Sequence, residues 1–306
     1  MSTEQLYRTS YIKRPRRTKD DIAAIVDGLI GVLEAYNPMT VRQTFYQMAT
    51  RGYIPKTETA YRTTICRLLT QLRLSKQIPF GWIADNTRWM RKPPTYSSME
   101  DALRLNVQTY RRALWSRMPE NVEVWIEKDA LAGVIYDITS EWDVPLMVTR
   151  GYPSLSYVYE AAEAMSQSGK PTYIYYFGDY DPSGMDISRS LEDRLRSFAP
   201  GAELHFERVA VNEHQIRMYD LPTRPTKSSD SRARRFNSEI SVELDALDPD
   251  RLREMVHFCI IKHLDGDEYQ RLRQIEAAER ESLAWVVENM VFDGTVKYSL
   301  TDNNNE

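Results

Sequence analysis

The sequence predicts an α/β chain in which a parallel sheet follows a small helical module, and three observations carry that prediction. Four short apolar runs, Val122–Ile126, Leu146–Arg150, Thr172–Phe177 and Leu204–Val211, alternate with stretches of helical periodicity. That order implies parallel strands joined by right-handed crossovers. Three compact helical patterns precede them, between residues 20 and 74. Charge divides along the same line. Residues 1–120 hold 20 Lys and Arg against 10 Asp and Glu, a net of +10, and residues 121–306 hold 20 against 34, a net of −14. The overall −4 therefore joins a basic half to an acidic half, the distribution expected of a nucleic-acid grip attached to a metal-binding domain.

Residues 1–19 read as a basic tail, with Lys13, Arg14, Arg16, Arg17 and Lys19 around Pro15. Asp20 to Tyr36 is an amphipathic helix with Ile22, Ile25, Leu29 and Leu33 on one stripe, broken by Asn37-Pro38. Thr40 with Gln43 forms a capping box that opens a second helix to about Thr50, and Gly52 ends it. Thr57 caps a third helix to about Leu74, with Tyr61, Ile65, Leu68 and Leu72 facing inward. Gln77 to Ala84 is expected to form a short extended pair. Three helices and a hairpin describe a winged helix-turn-helix domain over residues 20–98. On that reading Arg62, Arg67, Arg73 and Lys76 lie on or just beyond the recognition helix and contact nucleic acid.

Arg88 to Tyr96 is a basic, Pro-rich connector, and residues 99–120 supply a connecting helix, Met99–Arg117. The second domain, 121–300, then alternates. A helix near Asp129–Ser140 follows the first strand, Ser154 caps another to about Gln167, and Ser183 opens a third to about Phe198. Asn212 with Gln215 makes another capping box. The polar, basic stretch from Leu221 to Asn237 reads as a surface or phosphate-contacting loop. Glu239–Leu247 and helices near Asp250–His263 and Asp267–Glu288 complete the domain, and Asp302–Glu306 is a frayed end.

A chain of 306 residues can bury two cores. No stretch approaches the roughly 18 uninterrupted apolar residues of a membrane span, and residues 1–19 lack the apolar centre of a secretory signal. Cys66 and Cys259 have no metal spacing and read as reduced core thiols, which points to the cytoplasm and, for a DNA-bound protein, the nucleoid. His214, His257 and His263 form no metal spacing either.

The chemistry concentrates in Gly178-Asp179-Tyr180-Asp181-Pro182-Ser183-Gly184, directly after one strand, and in Glu127-Lys128-Asp129, directly after another. Asp179 and Asp181 are two apart and point to one side of an extended segment. In a parallel sheet all three acids, Glu127, Asp179 and Asp181, converge at the carboxyl edge, where function sits in such folds. Like charges there repel by about 4 kcal/mol per pair at about 4 Å, so the cluster calls for a proton or a cation. Oxygen-only ligands suit magnesium. Glu243 and Asp245 also alternate on one side of an extended segment. They are either part of a polar site or solvated.

This arrangement resembles the Toprim module of topoisomerases, primases and related nucleases, whose pattern is a glutamate after the first strand and a DxD after a later one. The resemblance covers about Glu123 to Val211. It implies that Asp179 and Asp181 hold Mg2+, that Glu127 serves acid–base chemistry or metal binding, and that Asp186 supports the ion from further out.

A second motif, Arg42-Gln43-Thr44-Phe45-Tyr46, sets an arginine one turn before a tyrosine on one helical face. A phenol of pKa about 10 needs a guanidinium or divalent ion nearby to act as a nucleophile. An R-x-x-F-Y helix ahead of a Toprim-like segment resembles the A subunit of topoisomerase VI and its eukaryotic relative that makes meiotic double-strand breaks, in a compact bacterial or phage-type form. The resemblance implies that Tyr46 attacks a phosphodiester of double-stranded DNA and stays linked to the 5′ end, with Arg42 supporting it. It also implies a homodimer, in which the tyrosine of one protomer meets the metal site of the other, an ATPase B-type partner, and DNA contact by Lys227. Two other readings stay open: a hydrolytic Toprim endonuclease in which Tyr46 only packs, and a non-catalytic winged-helix DNA-binding regulator.

Overall fold

The computed structural model describes residues 17–84, 93–226 and 231–289. Most of the basic tail, the Arg88 end of the connector, Lys227 and Asp302–Glu306 lie outside the described residues. Helix α1 (Lys19–Tyr36) opens on Thr18, whose Oγ1 accepts from the Asp21 amide while the Asp21 carboxylate accepts from the Thr18 amide. Helix α2 (Val41–Thr50) opens on Thr40 and Gln43 in the same reciprocal way. The third predicted helix is interrupted: α3 (Glu58–Ala60) passes through a π-helical turn, Tyr61–Cys66, into α4 (Arg67–Leu74).

The extended pair expected over Gln77–Ala84 does not form. Pro79 has no amide to give a ladder, and Phe80–Trp82 closes into a 3-10 turn. The chain pairs back to the α1–α2 junction instead, with the Met39 amide donating to Trp82 O and the Ala84 amide to Met39 O. Helix α5 (Met99–Thr109) also stops before the expected Arg117. The terminal helix (Gly266–Asn289) captures the chain there: Tyr110 donates to Glu279 at 2.8 Å and the Arg112 amide to Glu276 at 2.9 Å.

Strands β1 (Asn121–Ile126), β2 (Leu146–Val148), β3 (Thr172–Phe177) and β4 (Leu204–Ala210) form one parallel sheet in the order β2-β1-β3-β4. Helices α6 (Asp129–Glu141), α7 (Leu155–Ser168) and α8 (Pro182–Phe198) connect them. Alternation along the strands divides two apolar clusters. Val122, Val124, Ile126, Tyr175 and Phe177 join α6 on one side. Trp125, Ile174 and Tyr176 join α7 and α8 on the other. The first cluster also contains Leu29, Leu33, Phe45, Tyr46 and Leu69, so the N-terminal helices share a core with the sheet.

After the sheet come α9 (Glu213–Met218), a two-residue antiparallel pair of β5 (Arg224–Pro225) with β6 (Ile240–Ser241), α10 (Pro249–Ile261) and α11 (Gly266–Asn289). Among the described residues no helix is long and apolar enough to cross a membrane, and Cys66 and Cys259 form no disulfide.

Candidate active site

The register Ile126↔Phe177 brings the ends of β1 and β3 level, and with them Glu127 and the Gly178–Gly184 loop. The Glu127 amide donates to Phe177 O at 2.9 Å, and Glu127 Oε2 accepts from the Asp179 amide at 3.1 Å. Glycine is required beside it. A Cβ on Gly178 would stand 2.7 Å from Glu127 Oε2, and one on Gly184 would stand 2.3 Å from Asp179 O. Arg208, half-buried on β4, fixes the loop by donating to the carbonyls of Gly178, Asp179 and Gly184.

Asp181 is the N-cap of α8, the position expected of Ser183. Its Oδ1 accepts from the Gly184 amide at 2.8 Å, Pro182 follows at the first helical position, and Oδ2 faces Arg224 Nη2 at 3.1 Å. Asp179 is nearly buried, and its Oδ1 accepts from the Leu244 amide at 2.7 Å. Tyr180 and Val242 exchange both backbone hydrogen bonds at 2.8 Å. That bridge draws residues 242–246 against the acid loop and resolves the open reading of Glu243 and Asp245: both are buried in the site.

Lys128 stands at the centre. Its Nζ lies 2.8 Å from Asp245 Oδ2, 3.0 Å from Asp179 Oδ1 and 3.8 Å from Glu243 Oε2. Glu243 also meets Arg224 Nη1 at 2.8 Å and Arg42 Nε at 3.3 Å. Arg42 further pairs with Glu58 at 3.0 Å and lies over the Tyr61 ring at 4.1 Å. Thus α2 sets Arg42 and Tyr46 against acids of its own chain. Arg42, Glu127, Lys128, Asp179, Glu243 and Asp245 border an open cleft of about 740 Å3, also lined by Arg73, Arg150 and Gly151; the buried Tyr46 is not among its lining residues.

Burial and then repulsion by Asp179 push the Glu127 carboxyl up to about 7. Burial also raises Asp179, against the pull of Lys128. Burial raises the Tyr46 phenol, reinforced by Glu243 and opposed by Arg42 and Lys128. For Lys128, burial would depress the ammonium, but Asp245, Asp179 and Glu243 outweigh it and the net shift is upward.

Glu127 and Asp179 fit a magnesium ion in donor chemistry. Both are hard oxygen ligands, and Glu127 is a half-buried carboxylate repelled by its neighbour Asp179. Among the described residues no three His, Cys, Asp or Glu side chains are grouped to hold one ion together, and both Asp181 oxygens are engaged. A two-carboxylate site suits magnesium, which keeps several waters and takes further ligands from phosphate.

Of the residues expected to contact DNA, Arg73 lines the cleft, with its guanidinium 5.7 Å from the Phe80 ring. Arg62 pairs with Glu58 at 2.9 Å, and Arg67 bonds Thr63 O and Gln71 on its own helix. Lys76 sits past the helix end in a left-handed turn (φ 59°). Asp186 bonds Tyr152 and Arg189. Sequence reasoning did not single out Lys128, Arg208 or Arg224. For Lys128 alone was a signal present, a cation between two acids at a strand end. No protein-family model matches this chain, and no curated protein matches it either.

Proposed function

We propose that this chain is a DNA-cleaving enzyme of the topoisomerase VI A-subunit type, with the wingless helical module α1–α4 as the DNA grip and the sheet as a Toprim-like module. One observation carries the reading: Arg42, one turn before Tyr46 on α2, lines the same cleft as Glu127, Asp179 and Glu243 at the carboxyl edge of the sheet, with Tyr46 buried behind that wall. A guanidinium and a hard-oxygen acid pair in one cleft, with a tyrosine packed next to it, match phosphoryl transfer.

In this reading the Tyr46 oxygen bonds to phosphorus and the bond from phosphorus to O3′ breaks. Glu243, whose carboxylate also meets Arg42, accepts the phenol proton, while O3′ takes one from solvent. Arg42 orients the tyrosine and faces the phosphate charge, and Arg73 meets the DNA backbone along the cleft. Glu127 and Asp179 would hold magnesium, which when bound supplies a Lewis acid at the phosphate oxygens. Duplex DNA, a second copy of the chain and an ATPase subunit are the partners this reading takes from the resemblance.

A hydrolytic Toprim nuclease is the second reading, favoured by the burial of Tyr46, which is 6% exposed. Plasmid cleavage with magnesium, stopped by detergent and resolved with and without protease, separates the two. Protein-linked 5′ ends lost in both Tyr46→Phe and Asp179→Asn are expected. Free ends that persist in Tyr46→Phe but vanish in Asp179→Asn would establish hydrolysis instead. Intact DNA binding without cleavage by the wild type would leave a regulator.

A further inference from the structure

Asp179 Oδ1 already has a cation on it. Lys128 Nζ stands 3.0 Å away, and the same ammonium reaches Asp245 Oδ2 at 2.8 Å. Asp245 is buried, and its other oxygen accepts from Thr40 Oγ1 at 2.8 Å. Thr40 is the N-cap of α2, its Oγ1 also accepting from the Gln43 amide at 2.9 Å. Three polar contacts in series therefore join the acid loop to the start of the helix that carries Arg42 and Tyr46. A divalent ion and an ammonium on the same carboxylate repel each other, so loading of the ion opposes the Asp179–Lys128 contact. Lys128 has a way out: 27% of its side chain is exposed, on a flexible stem that opens to the cleft.

We propose that Lys128 is an exchangeable internal counter-ion, and that loading of a divalent ion at Asp179 turns its ammonium into the cleft. Displacement releases Asp245 Oδ2, loosens the Asp245–Thr40 latch on α2, and so links ion loading to the pose of Tyr46. Lys128 and Asp245 act as positioning residues. The inference rests on the metal reading of the acid loop given above. A purely structural ammonium, present only to neutralise buried acids, would stay in place when the ion arrives.

The test is calorimetric titration of magnesium into the full chain without DNA, comparing the wild type with Lys128→Met and Asp179→Asn. Lys128→Met is expected to bind magnesium at least about tenfold more tightly than the wild type, and Asp179→Asn to lose binding. Equal or weaker binding by Lys128→Met, with loss in Asp179→Asn, would overturn the counter-ion and leave the metal reading standing. No binding by any folded protein would overturn both. If Lys128→Met does not fold, reductive methylation of wild-type lysines, read by mass spectrometry, decides. Labelling of Lys128 is expected to rise severalfold on adding magnesium, while Lys170, bonded to the carbonyls of Trp115, Ser116 and Met118, stays constant. An unchanged Lys128 in magnesium-bound protein would overturn the proposal.

Discussion

Glu123 and Glu127 stand four residues apart at β1 and its end, and both carboxyls are pushed up to about 7, by different means. Repulsion by Asp179 adds to burial for Glu127. For Glu123 burial acts alone, softened by the Trp125 indole, which donates to its carboxyl at 2.8 Å. Between its ordinary value of 4.5 and about 7, the folded state keeps a Glu123 proton that the unfolded chain has lost. This contribution to stability therefore falls as pH rises through that window, by up to about 3 kcal/mol. Glu123→Gln keeps an acceptor for Trp125 and removes the titration. Urea unfolding at about pH 5 and about pH 8 should show the variant more stable than the wild type at the higher pH only; an equal pH response in the two proteins would refute this. At this scale the acids at the strand ends were legible, because apolar runs of period two end directly in them. The partners that neutralise them were not. Lys128 and Asp245 lie 117 residues apart, and nothing in local patterning reports a contact made only when the sheet and the following segment close together.

At the scale of elements, caps and strands were the readable parts. Thr40, Thr57 and Ser154 open helices through side-chain acceptors, and the four apolar runs became the four strands. Misreadings arose where distant chain competed with local preference. The Gln77–Ala84 segment bonds Met39 instead of itself, and α5 ends where α11 offers Glu276 and Glu279. The start of α8 shows how tightly one such junction is built. Asp181 caps the Gly184 amide while Gly184 itself lies against Asp179 O and Glu127 Oε2. Alanine in a helix is ordinarily worth about 1 kcal/mol over glycine. Gly184→Ala should nevertheless destabilise the protein by about 2 kcal/mol, since its Cβ cannot fit without moving backbone. Thermal unfolding checks the sign; a stabilised variant would show that the loop yields freely.

Across the whole molecule, the charge split marked two regions correctly in composition but did not reveal that they close on each other. The α1–α2 junction, α6 and α10 meet at Arg253, whose guanidinium donates to Tyr36 O at 3.2 Å, Pro38 O at 2.6 Å and Val134 O at 3.2 Å. Leu29, Leu33 and Phe45 belong to the same apolar cluster as Val124 and Ile126. An apolar core shared in this way predicts one cooperative transition in place of two. Arg253→Ala should lower stability by about 3 kcal/mol, from three carbonyls left without their donor, yet leave the transition single. Coincident urea curves from tryptophan fluorescence and far-ultraviolet dichroism check it, and separated midpoints would mean that the helical half unfolds on its own.

Arg208 has a consequence for any cation taken up at the acid loop. By gripping the carbonyls of Gly178, Asp179 and Gly184, it makes the loop rigid during folding. Its conformational entropy is already gone when an ion arrives, so none of the ion's binding energy is consumed in ordering the protein. Affinity then reflects the carboxylate oxygens against the water the ion must shed and the Lys128 ammonium it must displace. Ion exchange is therefore expected to leave the loop backbone unchanged, with the adjustment confined to side chains.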